Sequence, residues 1–264
     1  MLIPRIYNIH DRAITIEFSA AISEATNLQV IALQRAIESN PFKGFIECVP
    51  AYGSLTVYFS EQVSTAAVRS WLSDLSAQIS DTIDHSSTPG RKISIPVCYD
   101  PSLGVDLPWV SSHLNLSLEE IISLHTSVAY RVYMIGFIPG FPYMGTLPER
   151  LEVPRKQTPS LKIPMGSVAI AGKQTGIYPA EVPGGWQVIG RTPLKMFDPS
   201  QSPCSFLNAG DLVTFMPITL DVFNHWAHSS SRSLQRKTRS EVVSSASCIR
   251  FLWFEIFQVF YCAK

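Results

Sequence analysis

Charge is scarce in this sequence and has no preferred sign. Of 264 residues, 21 are basic and 21 acidic, so the formal net charge is zero and charged residues make up only 16%. Such a balance leaves no electrostatic footprint for nucleic acid or for an anionic membrane surface. Paired cysteines are missing too. Cys48, Cys98, Cys204, Cys248 and Cys262 are scattered, odd in number and never spaced C-x-x-C. That usage suits a reduced, cytoplasmic compartment. The N-terminus, MLIPRIYNIHDRAITIEF, has no apolar signal core. The longest late apolar run, Ile249 to Ala263, is broken by Arg250, Glu255 and Gln258 and is too short and polar to span a bilayer. Familiar catalytic signatures are absent. Gly172-Lys173 superficially resembles a phosphate loop, but that loop needs a glycine where Ser167 stands and a Ser or Thr where Gln174 stands. There is no G-x-S-x-G nucleophile elbow. His225 and His228 are a close histidine pair without a cysteine or carboxylate cluster, so no metal site is expected.

What is present is concentrated between Tyr130 and Arg191: YRVYMIGFIPGFPYMGTLPERLEVPRKQTPSLKIPMGSVAIAGKQTGIYPAEVPGGWQVIGR. Glycines, prolines and aromatics crowd together there with few charges. Proline fixes φ, glycine permits positive φ and close backbone approach, and aromatics supply flat contact area. The segment reads as rigid loops built around a pocket.

The rest of the chain reads as an α+β protein. Residues 1–90 form a small α/β domain. Ile14, Ile16 and Phe18 alternate with polar residues as in a half-buried strand, and Val30, Leu33 and Ile37 share one helical face. Phe45–Val49 and Leu55–Phe59 read as strands around a turn at Tyr52-Gly53-Ser54. Ser64 is placed to cap a helix with the stripe Val68, Trp71, Leu72, Leu75 and Ile79. This order suggests a ferredoxin-like split βαβ. The polar stretch Asp84 to Arg91 reads as a linker. Residues 91–220 form a second domain that opens with a strand over Lys92–Tyr99. Asp106 is placed to cap a short helix. Ser117 and Glu120 form a capping box with Leu116 and Ile121 as its staple, so a helix runs from near Leu118 to near His125. Short strands follow at Arg131–Ile135, Ser167–Ala171, Trp186–Gly190 and Leu212–Met216, the pattern of a closed or nearly closed β-barrel. Residues 221–264 combine a Ser/Arg-rich start with an aromatic end and read as a weakly ordered extension.

The motifs GFIPGFPYMG, LPERLEVPR, GSVAIAGKQTGIYP, PGGWQVIGRTPL and AGDLVTF, in that order, resemble the family of the 5-oxoprolinase B subunit, also known as the KipI or allophanate-hydrolase-subunit-1 family. The resemblance covers residues 1–218, strongly from Asp100 to Pro217. It implies a small N-terminal α/β domain followed by a cyclophilin-like barrel, together matching one half of a biotin-dependent carboxyltransferase domain. It implies work with the A and C subunits of 5-oxoprolinase to open 5-oxoproline to glutamate with ATP; the ATP is expected on a partner chain, with no metal or biotin here. Two alternatives share the motifs: a KipI-like inhibitor of a histidine kinase, and a urea- or allophanate-related carboxyl-transfer half. Pro159-Ser160 and Met165-Gly166-Ser167 depart from the Pro-Arg and Ala-Gly-Ser usual in the family, and the lost arginine removes a possible anion clamp.

Candidate residues follow. His125 is weighed as a general acid/base against a helix-end histidine favoured by the macrodipole. Arg155 is expected to hold a carboxylate or a phosphorylated intermediate, whereas Lys156 reads as solvated. Gly140, Phe141 and Tyr143, Gln174 and Tyr178, and Gly184, Gly185, Trp186 and Arg191 lie on three loops expected to line one pocket, against the plainer reading of turns and packed rings.

Overall fold

The structure is a computed structural model that describes residues 4–19, 23–82 and 90–227. Most of the expected linker and extension therefore lies outside the described residues. The chain divides into two compact units, Met1–Arg91 with Ala209–Asp211, and Lys92–Asn208 with Leu212–Lys264.

The first unit is a sheet with two helices. Its elements are β1 (Arg5–His10), β2 (Ala13–Glu17), α1 (Glu24–Ser39), β3 (Phe45–Pro50), β4 (Ser54–Phe59) and α2 (Thr65–Thr82). Ser23 caps α1 by accepting from the Thr26 N–H, the usual remedy for an orphan helix donor. Val30, Leu33 and Ile37 of α1 and Val68 and Leu72 of α2 are buried with Ile14, Ile16, Leu55 and Val57 of the sheet. The sheet order is β1-β2-β4-β3. A ferredoxin-like order requires a strand after α2 beside β2. Here β1 holds that edge, paired antiparallel to β2, and the strand after α2 belongs to the other unit. The alternation in Arg5–His10 is too weak to mark β1 in the sequence.

The second unit is a closed barrel. After β5 (Lys92–Cys98) come α3 (Leu107–Leu114), α4 (Leu118–Thr126), β6 (Tyr130–Ile135), β7 (Pro142–Gly145), β8 (Ser160–Ile163), β9 (Ser167–Ala171), β10 (Gln174–Ile177), β11 (Val182–Gly184), β12 (Gln187–Arg191) and β13 (Leu212–Ile218). Seven strands close in the order β10-β7-β6-β13-β5-β12-β9, and β10 pairs β9. β13 runs parallel to β5 over its whole length. The capping box of α4 forms as expected, with Ser117 and Glu120 each satisfying the other's backbone N–H. No helix among the described residues is long and apolar enough to cross a membrane.

Strand β9 places the functional region. It is buried on both faces. Because side chains alternate along a strand, Val168 and Ile170 enter the barrel core, while Ala169 and Ala171 face outward into a second apolar cluster. The outward residues are small, which leaves room for large rings above them.

Residues 220–227 form the start of a helix after β13, and Phe223 is only 7% exposed. The first residues of the expected extension are thus helical, with an apolar ring packed inward; its remainder lies outside the described residues. Truncation after Leu220 is expected to destabilise the barrel unit by about 2 kcal/mol or more, the scale of losing a buried aromatic. Thermal melts of the truncated and full chains check this; equal melting temperatures would show that Phe223 contributes nothing.

Candidate functional site

The outer cluster on β9 is an aromatic wall. Phe141 sits at its centre, edge-on to Tyr143 (4.8 Å between centroids), Tyr178 (5.1 Å) and Trp186 (5.5 Å). Tyr143 also meets Trp186 at 5.8 Å. These edge-to-face pairs suit the ring quadrupoles. The three expected loops therefore do converge, through their aromatic residues.

Glycines make the wall possible. A Cβ on Gly176 would lie 2.7 Å from the Phe141 ring, so the ring lies flush on β10. A side chain at Gly184 would collide with the Tyr178 hydroxyl. Gly140 has φ +82 and abuts Phe197, which lets the chain turn sharply into Phe141. A Cβ on Gly185, by contrast, would make only ordinary contacts, with the Lys156 carbonyl and Pro159 at 3.9 Å. Its contribution is its carbonyl, which accepts the Lys156 N–H at 2.7 Å.

Burial pushes the Tyr178 phenol up to about 12 and the Tyr143 phenol in the same direction. The charge of Arg155 opposes both shifts, and the residue after it, Lys156, is bonded through its N–H to the Gly185 carbonyl, next to Trp186 of the wall. Arg155 itself is exposed. The site thus holds two protonated phenols and one accessible cation beside an apolar wall.

Two expected residues bring no ring to the wall. Arg191 ends β12 and donates through Nε to the Met165 carbonyl at 2.7 Å, at the turn around Gly166. Gln174 is half-buried on β10, two residues before the glycine that carries Phe141.

Between a general acid/base and a helix-end histidine, the structure places His125 at the end of α4, facing inward. It is fully buried in the barrel interior. Thr175 donates to the Ala169 carbonyl (3.2 Å), so its oxygen receives the Nε2–H of His125 (3.0 Å), and Nδ1 accepts from the Tyr99 hydroxyl (2.8 Å). The ring stacks on Phe215 at 4.5 Å. Both nitrogens are engaged, and burial pushes the imidazole down to about 3, so it stays neutral. The helix-end position is legible in the sequence; that α4 turns this residue inward is not.

Asp106 and Lys156 depart from their sequence reading. Asp106 makes no side-chain cap on α3. Its Oδ2 instead binds Lys156 Nζ at 2.6 Å and accepts the Val188 N–H at 2.7 Å. Lys156, expected to be solvated, is 15% exposed and also donates to Ser160 Oγ at 2.8 Å. Fifty positions separate the two partners, so no local spacing signals the pair. Among the described residues no group of three or more His, Cys, Asp or Glu is placed to hold a metal; His228 lies outside them.

Comparison with known proteins agrees with this architecture. The model of the carboxyltransferase domain, subdomain C and D, matches residues 4–207. The B subunit of 5-oxoprolinase from Bacillus subtilis (strain 168) is 40% identical over 235 residues, covering 86% of this chain and 98% of its own length. That of Escherichia coli O157:H7 is 37% identical, with 81% and 95% covered. Among solved structures, TTHA0988 superposes with a TM-score of 0.68 at 36% identity; 78% of this chain is covered, which spans only 39% of that protein. The urea amidolyase of K. lactis shares the fold at 17% identity and a TM-score of 0.66, with 93% of this chain and 18% of that one covered. On the extent of these matches, the chain belongs to the family of the 5-oxoprolinase B subunit, built on carboxyltransferase subdomains C and D.

Proposed function

We propose that this chain is the B subunit of an ATP-dependent 5-oxoprolinase that hydrolyses 5-oxoproline to glutamate together with the A and C subunits in the cytoplasm. The observation that carries the reading is the aromatic wall with the Arg155 segment bonded beside it at Gly185, in a chain 37–40% identical to such subunits over nearly their full length. 5-Oxoproline is a small, flat lactam bearing one carboxylate. Arg155 supplies a two-pronged grip for the carboxylate. Tyr143 and Tyr178 act as hydrogen-bond donors through their phenols, and the rings cover the lactam and exclude water. His125 has no part in proton transfer in this reading; it holds α4 to the barrel. ATP is assigned to a partner subunit, since the sequence carries no phosphate loop. The same reading takes the barrel as cyclophilin-like and the N-terminal sheet as a ferredoxin variant with β1 in the fourth strand's place.

The purified chain alone should release no glutamate from 5-oxoproline with ATP and magnesium, whereas the chain combined with the A and C subunits should. Turnover by the chain alone would overturn the shared-site reading. An inactive but stable three-chain complex would turn attention to the binding-protein alternative, in which the same barrel face contacts a histidine kinase.

A further inference from the structure

We infer that the Asp106–Lys156 ion pair is a positioning latch that holds Arg155 at the aromatic wall; the inference rests on Arg155 being the carboxylate grip proposed above. Arg155 is an exposed residue between two tethered neighbours. On one side the Pro154 carbonyl accepts from Gln187 Nε2 at 3.1 Å. On the other, the Lys156 N–H donates to the Gly185 carbonyl at 2.7 Å, and its Nζ reaches Asp106 at 2.6 Å and Ser160 at 2.8 Å.

Asp106 ties this segment to the barrel. The oxygen that meets Lys156 also accepts the Val188 N–H at 2.7 Å, and the Asp106 N–H donates to the Val188 carbonyl at 2.9 Å. One carboxylate therefore joins the start of α3, strand β12 and the Pro154–Ser160 segment. It does so in place of the cap that an aspartate there would ordinarily make. The pair is largely shielded, at 15% and 18% exposure, so solvent and salt screen it little. The small hydroxyl of Ser160 receives Lys156, which aims the ammonium toward Asp106.

Neither Asp106 nor Lys156 is placed on the substrate. Both act through the backbone on either side of Arg155, and a displacement of about 1 Å at a binding group suffices for large rate losses. Lys156→Met and Asp106→Asn, each assembled with the A and C subunits, should raise KM for 5-oxoproline about tenfold or more with a smaller change in kcat. Lys156→Arg, which keeps the charge, should recover most of the loss. The second readout is hydrogen exchange on the full chain alone. The backbone N–H groups of residues 155–158, 160 and 184–188 should exchange faster in Lys156→Met and Asp106→Asn, with β9 unchanged. Unchanged exchange in both variants overturns the latch, as does faster exchange with KM unmoved. If the wild-type complex leaves 5-oxoproline intact, the functional reading falls by itself, and the exchange data alone decide whether the pair tethers the segment.

Discussion

His125→Ala is expected to cost the barrel about 4 kcal/mol. The substitution removes a ring with no solvent exposure that stacks on Phe215, and cavities of that kind cost about 2–5 kcal/mol. It also removes the acceptor of the buried Tyr99 hydroxyl, which costs about 1 kcal/mol or more, while Thr175 keeps its bond to the Ala169 carbonyl. The wild-type imidazole carries a pH signature as well. Its folded value of about 3 lies below the ordinary value near 6.5. Between the two, the unfolded chain binds a proton that the folded chain does not. The contribution of His125 is therefore complete above about pH 6.5 and is lost progressively as pH falls toward 3, by up to about 1.4 kcal/mol per pH unit. Chemical denaturation at pH 7.5 and pH 5 checks both points. A variant within about 1 kcal/mol of wild type, or one with the same acid slope, would show that the imidazole is not a neutral wedge in the core.

Arg155→Ala is expected to do the opposite, sparing the fold and damaging turnover. Arg155 is exposed, and substitutions of that kind usually shift stability by about 0.5 kcal/mol or less. A charge-assisted grip on a carboxylate is worth about 2–3 kcal/mol, roughly a hundredfold in kcat/KM. In the assembled complex most of that loss should appear in KM, because the carboxylate is held alike in the ground and transition states. Steady-state kinetics beside a thermal melt of the same sample separate the two effects. Near-normal kcat/KM would place the carboxylate on a partner subunit, and a large fall in melting temperature would make Arg155 structural.

These two residues show how legibility in the sequence divides. Both are candidates for site chemistry on sequence grounds. Arg155 keeps an exposed place in a segment whose neighbours Pro154, Gln157, Thr158 and Pro159 are exposed too. His125 does not, because the last turn of an amphipathic helix can present a histidine to water or to the core. Only the position of the barrel beneath α4 selects between them. The glycine-framed aromatics are readable as a group, since Gly176 and Gly184 leave the space that Phe141 and Tyr178 occupy. Their centre, Phe141, is not distinguishable from its neighbours in the sequence.

Local interactions were decided by the sequence itself. The capping box at Ser117 and Glu120, the buried stripes of α1 and α2 and the bounds of β9 each depend on residues within a few positions of one another, and such contacts need no distant partner to be predictable. The tertiary structure alone decided what depends on distant pairing. It placed β1 at the sheet edge, carried β5 into a parallel pair with β13, buried both faces of β9, and drew the Asp106 carboxylate away from its helix to Lys156. In each case the energy comes from bringing together groups far apart in the chain, and neither partner's own neighbourhood differs from that of an ordinary strand, cap or surface lysine.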